Sequence, residues 1–201
     1  MLKELKTRPV ITPLPVLIVG TYNSDGTPDA MNVAWGGQCG DNEIALNIST
    51  SHQTTENMRL TNAFTVSIGD VDRIALADYF GISSGHKVNK IEHAKAHAVK
   101  GKAVNAPIIE EFVLTMECKI VSMVDSGDGM TRVVGEVVRT VADDSLLDEN
   151  GKVDFSRLRP ISYDPETRSY RELGAIVGRA FHDGLALKLS LIHISEPTRR
   201  S

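Results

Sequence analysis

Cysteine is nearly absent from this chain: Cys39 and Cys118 are the only two among 201 residues. Their spacing matches neither a disulfide scaffold nor a structural metal site, so both read as reduced thiols. No basic excess exists, since 22 Lys and Arg stand against 26 Asp and Glu for a formal charge of -4. With no basic stripe to meet phosphates, a nucleic-acid partner is not expected. Long apolar runs are missing too. The strongest stretch, 13–20, falls far short of the roughly 20 residues that a membrane-spanning helix needs, so no membrane partner is expected. The opening MLKELKTRPV is positive but lacks an apolar run and a small-residue cleavage site. It does not read as an export signal, and a cytoplasmic location is expected. No GxGxxG fingerprint follows the first strand, which leaves a separate dinucleotide-binding domain without support.

What is present is an ordinary globular composition, 41% hydrophobic and 24% charged, in a length that suits one domain. The segment PVLIVGT followed by NSDG is an apolar, β-prone run ending in Asp-Gly, a hairpin signal. Ala30 to Trp35 and Ile44 to Ile48 supply two further strands, and Ala63 to Ile68 another. Thr50 to Gln53 fits a capping box, which predicts a helix running towards Leu60. Val71 to Phe80 predicts a second short helix. The clearest alternation is Phe112, Leu114, Met116, Cys118 and Ile120 on one face, with Val113, Thr115, Glu117 and Lys119 on the other. It predicts a long strand that buries the Cys118 thiol. After a turn at Asp125 to Gly129, a β-branched segment to Val141 carries Val133, Val137 and Val141 at one parity, and the two long strands are expected to pair antiparallel. The acidic stretch 142–152 reads as a solvated connection, since apolar and turn residues interrupt its carboxylates. Many short strands with few helices predict a mainly β fold, a β-barrel with short helical insertions.

Several segments then carry a family resemblance. They are Pro15–Gly26 (PVLIVGTYNSDG), Asn32–Trp35 (NVAW), Ser51–Asn57 (SHQTTEN), Phe64–Ile68 (FTVSI), Asp78–Lys90 (DYFGISSGHKVNK), Leu114–Cys118 (LTMEC) and Gly135–Val138 (GEVV). In this order they resemble the flavin reductase-like, FMN-binding split-barrel family, on the flavoredoxin side of it. The resemblance spans nearly all of residues 1–188. The tail 189–201, LSLIHISEPTRRS, instead resembles translated sequencing-adapter DNA and is expected to be non-native, the physical alternative being a natural strand with a polar terminus.

The resemblance implies FMN held without a covalent bond near a homodimer interface. It places the flavin ring against Asn32, Val33, Ala34 and Trp35, where isoalloxazine needs hydrogen bonds at its heteroatoms and apolar cover. The alternative for Trp35 and Asn32 is a core aromatic and a strand-edge amide. Thr50, Ser51, Gln53 and Thr54 are the phosphate or ribityl candidates, because a helix start exposes N–H donors and a favourable dipole. A cap with no ligand is the alternative there. Ser83, Ser84, Gly85, Lys87 and Lys90 form a second shell, against which a solvated loop is weighed, and Ser67 sits where the family has a polar residue near the flavin. His52 is left outside the site, a surface histidine and a contact to the phosphate both standing open for it, and His86, His93 and His97 read as solvated histidines. No catalytic side chain and no metal are expected, because the flavin carries the chemistry. The implied activity is that of an NAD(P)H-dependent flavin oxidoreductase: electrons from NADH or NADPH, a transient visitor, pass through FMN to free flavin or a partner protein. A flavoredoxin-like electron carrier and a nonredox FMN-binding or storage protein are the alternatives.

Overall fold

The computed structural model describes residues 1–192, with side chains described through residue 188. The tail reading otherwise lies outside the described residues, though its first four positions continue a helix rather than a strand.

The chain opens with β1 (Leu14–Pro15), β2 (Leu17–Tyr22), β3 (Pro28–Val33), β4 (Gly36–Gln38) and β5 (Glu43–Ser49). Helix α1 (Gln53–Thr61), strand β6 (Ala63–Ile68), and helices α2 (Ile74–Ile82) and α3 (Lys90–Ala94) follow. A small hairpin of β7 (Ala98–Lys100) and β8 (Pro107–Ile109) precedes the long pair β9 (Leu114–Asp125) and β10 (Met130–Ala142). Then come α4 (Phe155–Leu158), β11 (Ile161–Asp164), β12 (Ser169–Glu172) and α5 (Leu185–Ile192).

Seven strands form one antiparallel sheet in the order β3-β2-β6-β9-β10-β5-β4. The sheet curls on itself. A Cβ placed on Gly36, in edge strand β4, would stand 3.2 Å from Leu17 Cδ1 in β2, although four strands separate the two in hydrogen-bonding order. The interior of this half-barrel is a cluster that includes Leu46, Ile48, Phe64, Val66, Cys118 and Val133. Each such large side chain taken from water contributes about 1.5–3 kcal/mol. This is the expected barrel with helical insertions.

The Asp-Gly hairpin forms as read: β2 pairs with β3, Gly26 takes φ +83° in the turn, and Asp25 Oδ1 accepts from Thr27 N at 2.9 Å. Strand β2 is apolar on both sides because both sides are covered. Leu17 and Val19 enter the barrel, while Val16 and Ile18 meet a second cluster with Phe80, Ile91, Ile109 and Phe112 under α2 and α3.

Several local expectations change. Val71–Arg73 is a 3₁₀ turn, capped by Asp70, and α2 begins only at Ile74. The long pair forms as expected, with bulges at Val134/Gly135 and Val137/Arg139; Val133 and Val137 both meet the barrel cluster, while Val138, of the other parity, is exposed. Cys118 is buried and its thiol is pushed up to about 12, first by burial and then by the Glu117 charge. Glu117, on the face of β9 opposite Cys118, is fully buried too. The loop before β8 folds over that face, and its Ala103 and Val104 N–H groups donate to Glu117 Oε2 at 2.6 and 3.1 Å while Arg139 donates to Oε1. In the acidic stretch, Asp143 accepts from Ser145 N, and Asp148 from Asn150 N and Lys152 N, so both carboxylates serve turns.

Candidate functional site

The site grows from the junction between β5 and α1. His52 is the N-cap of α1, extended at φ -75° and ψ 142°, and no side chain caps the helix. The expected capping box does not form. Thr50 Oγ1 pairs instead with Thr131 Oγ1 at 3.0 Å, because β10 runs beside it, and Gln53 Nε2 donates to Asn57 Oδ1 at 3.0 Å. Asn57 is itself buried and donates to Thr21 Oγ1 and Asn23 Oδ1. This polar chain anchors α1 on β2 and leaves its first turn facing a cleft of about 230 Å³.

The opposite wall of the cleft is the end of α2, the loop after it and the start of α3. Asn32 Nδ2 donates to Ala77 O at 3.0 Å, tying β3 to α2. Lys90 Nζ lies 3.1 Å from Asp29 Oδ1, and both side chains are almost wholly buried, at 3% and 2% exposure. Asp29 Oδ2, also buried, has no hydrogen-bond partner. Burial raises the Asp29 carboxyl above its ordinary range, against the opposing pull of Lys90. Gly85 makes this packing possible: a Cβ there would stand 2.9 to 3.1 Å from the Asp29 carboxylate atoms. His86 Nε2 donates to Ser51 O at 3.0 Å and so bridges the loop to the lead-in of α1. Burial, followed by the charges of Lys90 and His86, holds the His52 imidazole below its ordinary value.

Two further recesses adjoin this cleft, and Asn32 lines all three. In the first, of about 350 Å³, Val33, Ala34 and Trp35 meet Ser49, Met130 and Tyr163. Trp35 is 60% exposed, so it is a rim residue and not a core aromatic, whereas Val33 points into the barrel. The second, of about 320 Å³, carries Asp78, Tyr163, Arg168 and Tyr170.

Of the positions read from sequence, Asn32, Gln53, Thr54, Ser83, Ser84, Gly85 and Lys90 come together around the cleft, and Val33, Ala34 and Trp35 around its neighbour. Others stand apart. Thr50 is engaged with Thr131, the Ser51 hydroxyl pairs with Ser49, and Lys87 is exposed and lines neither recess. Ser67 lies inside the sheet at 1% exposure, its hydroxyl 2.8 Å from Thr115 Oγ1, because β6 is covered on both faces. Sequence reasoning missed Asp29 and left His52 and His86 outside the site, although both line the cleft. The one charged residue of the strand PDAMNV was the available signal for Asp29.

Known proteins agree with this architecture. The flavoredoxin of Desulfovibrio vulgaris (Miyazaki F) is 31% identical with a TM-score of 0.86, covering 92% of this chain and 100% of that one. A flavoredoxin from Methanosarcina acetivorans is 25% identical, with a TM-score of 0.84 over the same shares. An uncharacterised protein of Aquifex aeolicus is 28% identical over 159 residues, 76% of this chain and 81% of its own length. The profile of flavin reductase-like domains matches residues 10–163, and the chain belongs to that family.

Proposed function

We propose that this protein is an FMN-binding electron carrier of the flavoredoxin kind, working as a homodimer. The observation that carries the reading is the uncapped start of α1 facing Lys90 across a polar cleft that opens onto the Trp35 recess. An uncapped helix start offers N–H donors and the positive end of the helix dipole to a phosphate. Lys90 adds an ammonium with three donors, and Thr54, Ser83 and Ser84 add hydroxyls. The cleft is smaller than the roughly 300–1,000 Å³ typical of sites for whole drug-sized ligands, so it suits the phosphate and ribityl end. The adjoining recess, with exposed Trp35, Ala34 and Met130, offers apolar cover for a ring. The unpartnered Asp29 Oδ2 fits the same assignment, as an acceptor for a ribityl hydroxyl once the loop shifts.

FMN bound here supplies the redox chemistry, taking up electrons from a donor and passing them on. The protein's part is to hold the phosphate at α1, to keep the ring at a surface where a partner reaches it, and to fix its orientation. The half-exposed or exposed apolar residues Trp35, Ile82, Leu173, Ile176 and Phe181 support a second copy as cover. Direct reduction by NADH or NADPH, with onward transfer to free flavin, is the second reading. It is favoured by the recess beside the ring-covering segment, which leaves room for a small donor.

The test is anaerobic stopped-flow spectroscopy of the FMN-loaded protein. Bleaching of the flavin by a reduced carrier protein, with slow reaction towards NADH and NADPH, is the expected result. Rapid bleaching by either nicotinamide followed by turnover of added flavin selects the reductase reading. A protein that neither contains nor takes up FMN overturns both.

A further inference from the structure

The recess under the β11–β12 hairpin has the chemistry of a ligand site of its own. Arg168 sits in the turn of that hairpin in the left-handed region, at φ 53°. The turn is preorganised: Asp164 Oδ1 accepts from Glu166 N and Thr167 N at 2.9 and 3.3 Å, and Thr167 and Ser169 join their hydroxyls at 2.7 Å. Two acids lie close in sequence, yet neither serves Arg168. Asp164 is held by Arg171 at 2.8 Å, which with its turn bonds pulls its carboxyl down to about 2, and Glu166 is held by Arg8 at 2.5 Å. Among the described residues Arg168 has no ion pair, although it lines the recess.

The aromatic wall is equally defined. Tyr163 and Tyr170 pack with ring centroids 6.1 Å apart. The Tyr170 hydroxyl donates to Asp78 Oδ1 at 2.8 Å, and its phenol is pushed up to about 12 by burial and by Asp78, so it remains a donor to that acid at neutral pH. Asp78 lines the same recess with its carboxyl bonded to the Tyr170 hydroxyl, and Arg168 is the one basic side chain among the lining residues. The recess shares Asn32 and Ala34 with the Trp35 segment.

We propose that this recess binds a small planar aromatic anion, with its ring against Tyr163 and its carboxylate or phosphate on the Arg168 guanidinium. A guanidinium fork matches either group in two-point geometry, and a ring on a tyrosine face adds stacking. The placement of this ligand beside the flavin rests on the FMN reading; the site itself is built from this chain alone. Two sources share that chemistry, an aromatic acid and the nicotinamide end of a nucleotide.

The experiment titrates benzoate and, separately, nicotinamide mononucleotide into the protein with and without FMN, following tyrosine fluorescence and, where FMN is present, flavin absorbance. Saturable binding of one probe is expected, weakened about tenfold by Arg168→Gln and partly restored by Arg168→Lys, with FMN content unchanged in both variants. Preference for benzoate identifies an aromatic acid, and preference for the mononucleotide a nicotinamide nucleotide. Absence of saturation with both probes, or equal affinity in wild type and Arg168→Gln, overturns the site. A protein that takes up no FMN yet binds a probe through Arg168 upholds the site and removes the flavin reading; a flavin-loaded protein indifferent to both probes does the reverse.

Discussion

Glu117 in the sheet and Asp29 beside the cleft are both carboxylates buried to 2% exposure or less, each next to a cation, and their environments drive them in opposite directions. Burial works to raise both. At Glu117 the N–H donors of the loop before β8, together with Arg139, outweigh it, and the carboxyl falls below its ordinary value. At Asp29 Lys90, with smaller help from Ala30 N–H and Thr54, does not, and the carboxyl rises. The difference lies in donor count. Glu117 has been given a closed shell by a loop folded around it, whereas Asp29 keeps one buried oxygen without a partner beside a cleft. A saturated buried acid is a structural fastener. An unsaturated one beside a cavity is where a ligand gains most from arriving.

The largest effect that separates the two sites is expected from Lys90→Met. It leaves Asp29 without its cation in a site where both partners are buried, a loss of about 3–5 kcal/mol. Because the folded-state pKa of Asp29 is raised, its contribution to stability is present at low pH and declines as pH rises through that value. The variant should therefore be weakest near neutrality and recover towards acid in urea titrations at several pH values. The double variant Asp29→Asn, Lys90→Met should regain most of the stability yet still bind FMN poorly. Recovery of FMN binding along with stability would break the assignment of Lys90 to the phosphate.

Glu117→Ala should cost less, about 2–3 kcal/mol, since Arg139 is 30% exposed and keeps its hydration while the Ala103 and Val104 N–H groups lose their acceptor. Its pH dependence has the opposite sign. A depressed carboxyl contributes stability above the unfolded value, near pH 4.3, and loses it as pH falls through the folded one. Wild type and variant should converge in acid, and a gap that stays constant with pH would contradict this. FMN affinity should be unchanged, as Glu117 lines neither recess.

Gly85→Ala is expected to be milder in stability, about 1–2 kcal/mol, because the added methyl must push the loop off the Asp29 carboxylate. Proteolysis should show the loop more open, and FMN should dissociate faster. The smallest effect is Ser84→Ala, which removes one hydroxyl from the cleft and should weaken FMN about fivefold, near 1 kcal/mol. Lys87→Ala, at an exposed position that lines neither recess, should leave affinity unchanged in equilibrium dialysis. Equal losses at both positions would show that loop charge matters more than cleft geometry.

What the sequence by itself determined was the set of local elements. The Asp-Gly turn, the alternation of β9, the long β9–β10 pair and the family segments from Pro15 to Val138 are properties of neighbours in the chain, so composition and period reveal them. Most of the cleft was legible in the same way, because the SHQTTEN and DYFGISSGHKVNK segments each bring their polar residues as a block. Tertiary structure alone decided the rest. Ser67 and Glu117 have the residue types of a half-exposed strand, but a second layer covers their outer face, and a periodic pattern carries no record of what packs on it. Thr50 looked like a cap until β10 supplied Thr131 as its partner. The Asp29–Lys90 pair and the Arg168 recess join residues far apart in sequence, and their charges acquire meaning only from which acids and bases the fold has already paired. Local sequence sets where a strand or turn forms because those choices are made by backbone and adjacent side chains; burial and pairing are settled by chain closure over long distances, where no short window contains both partners.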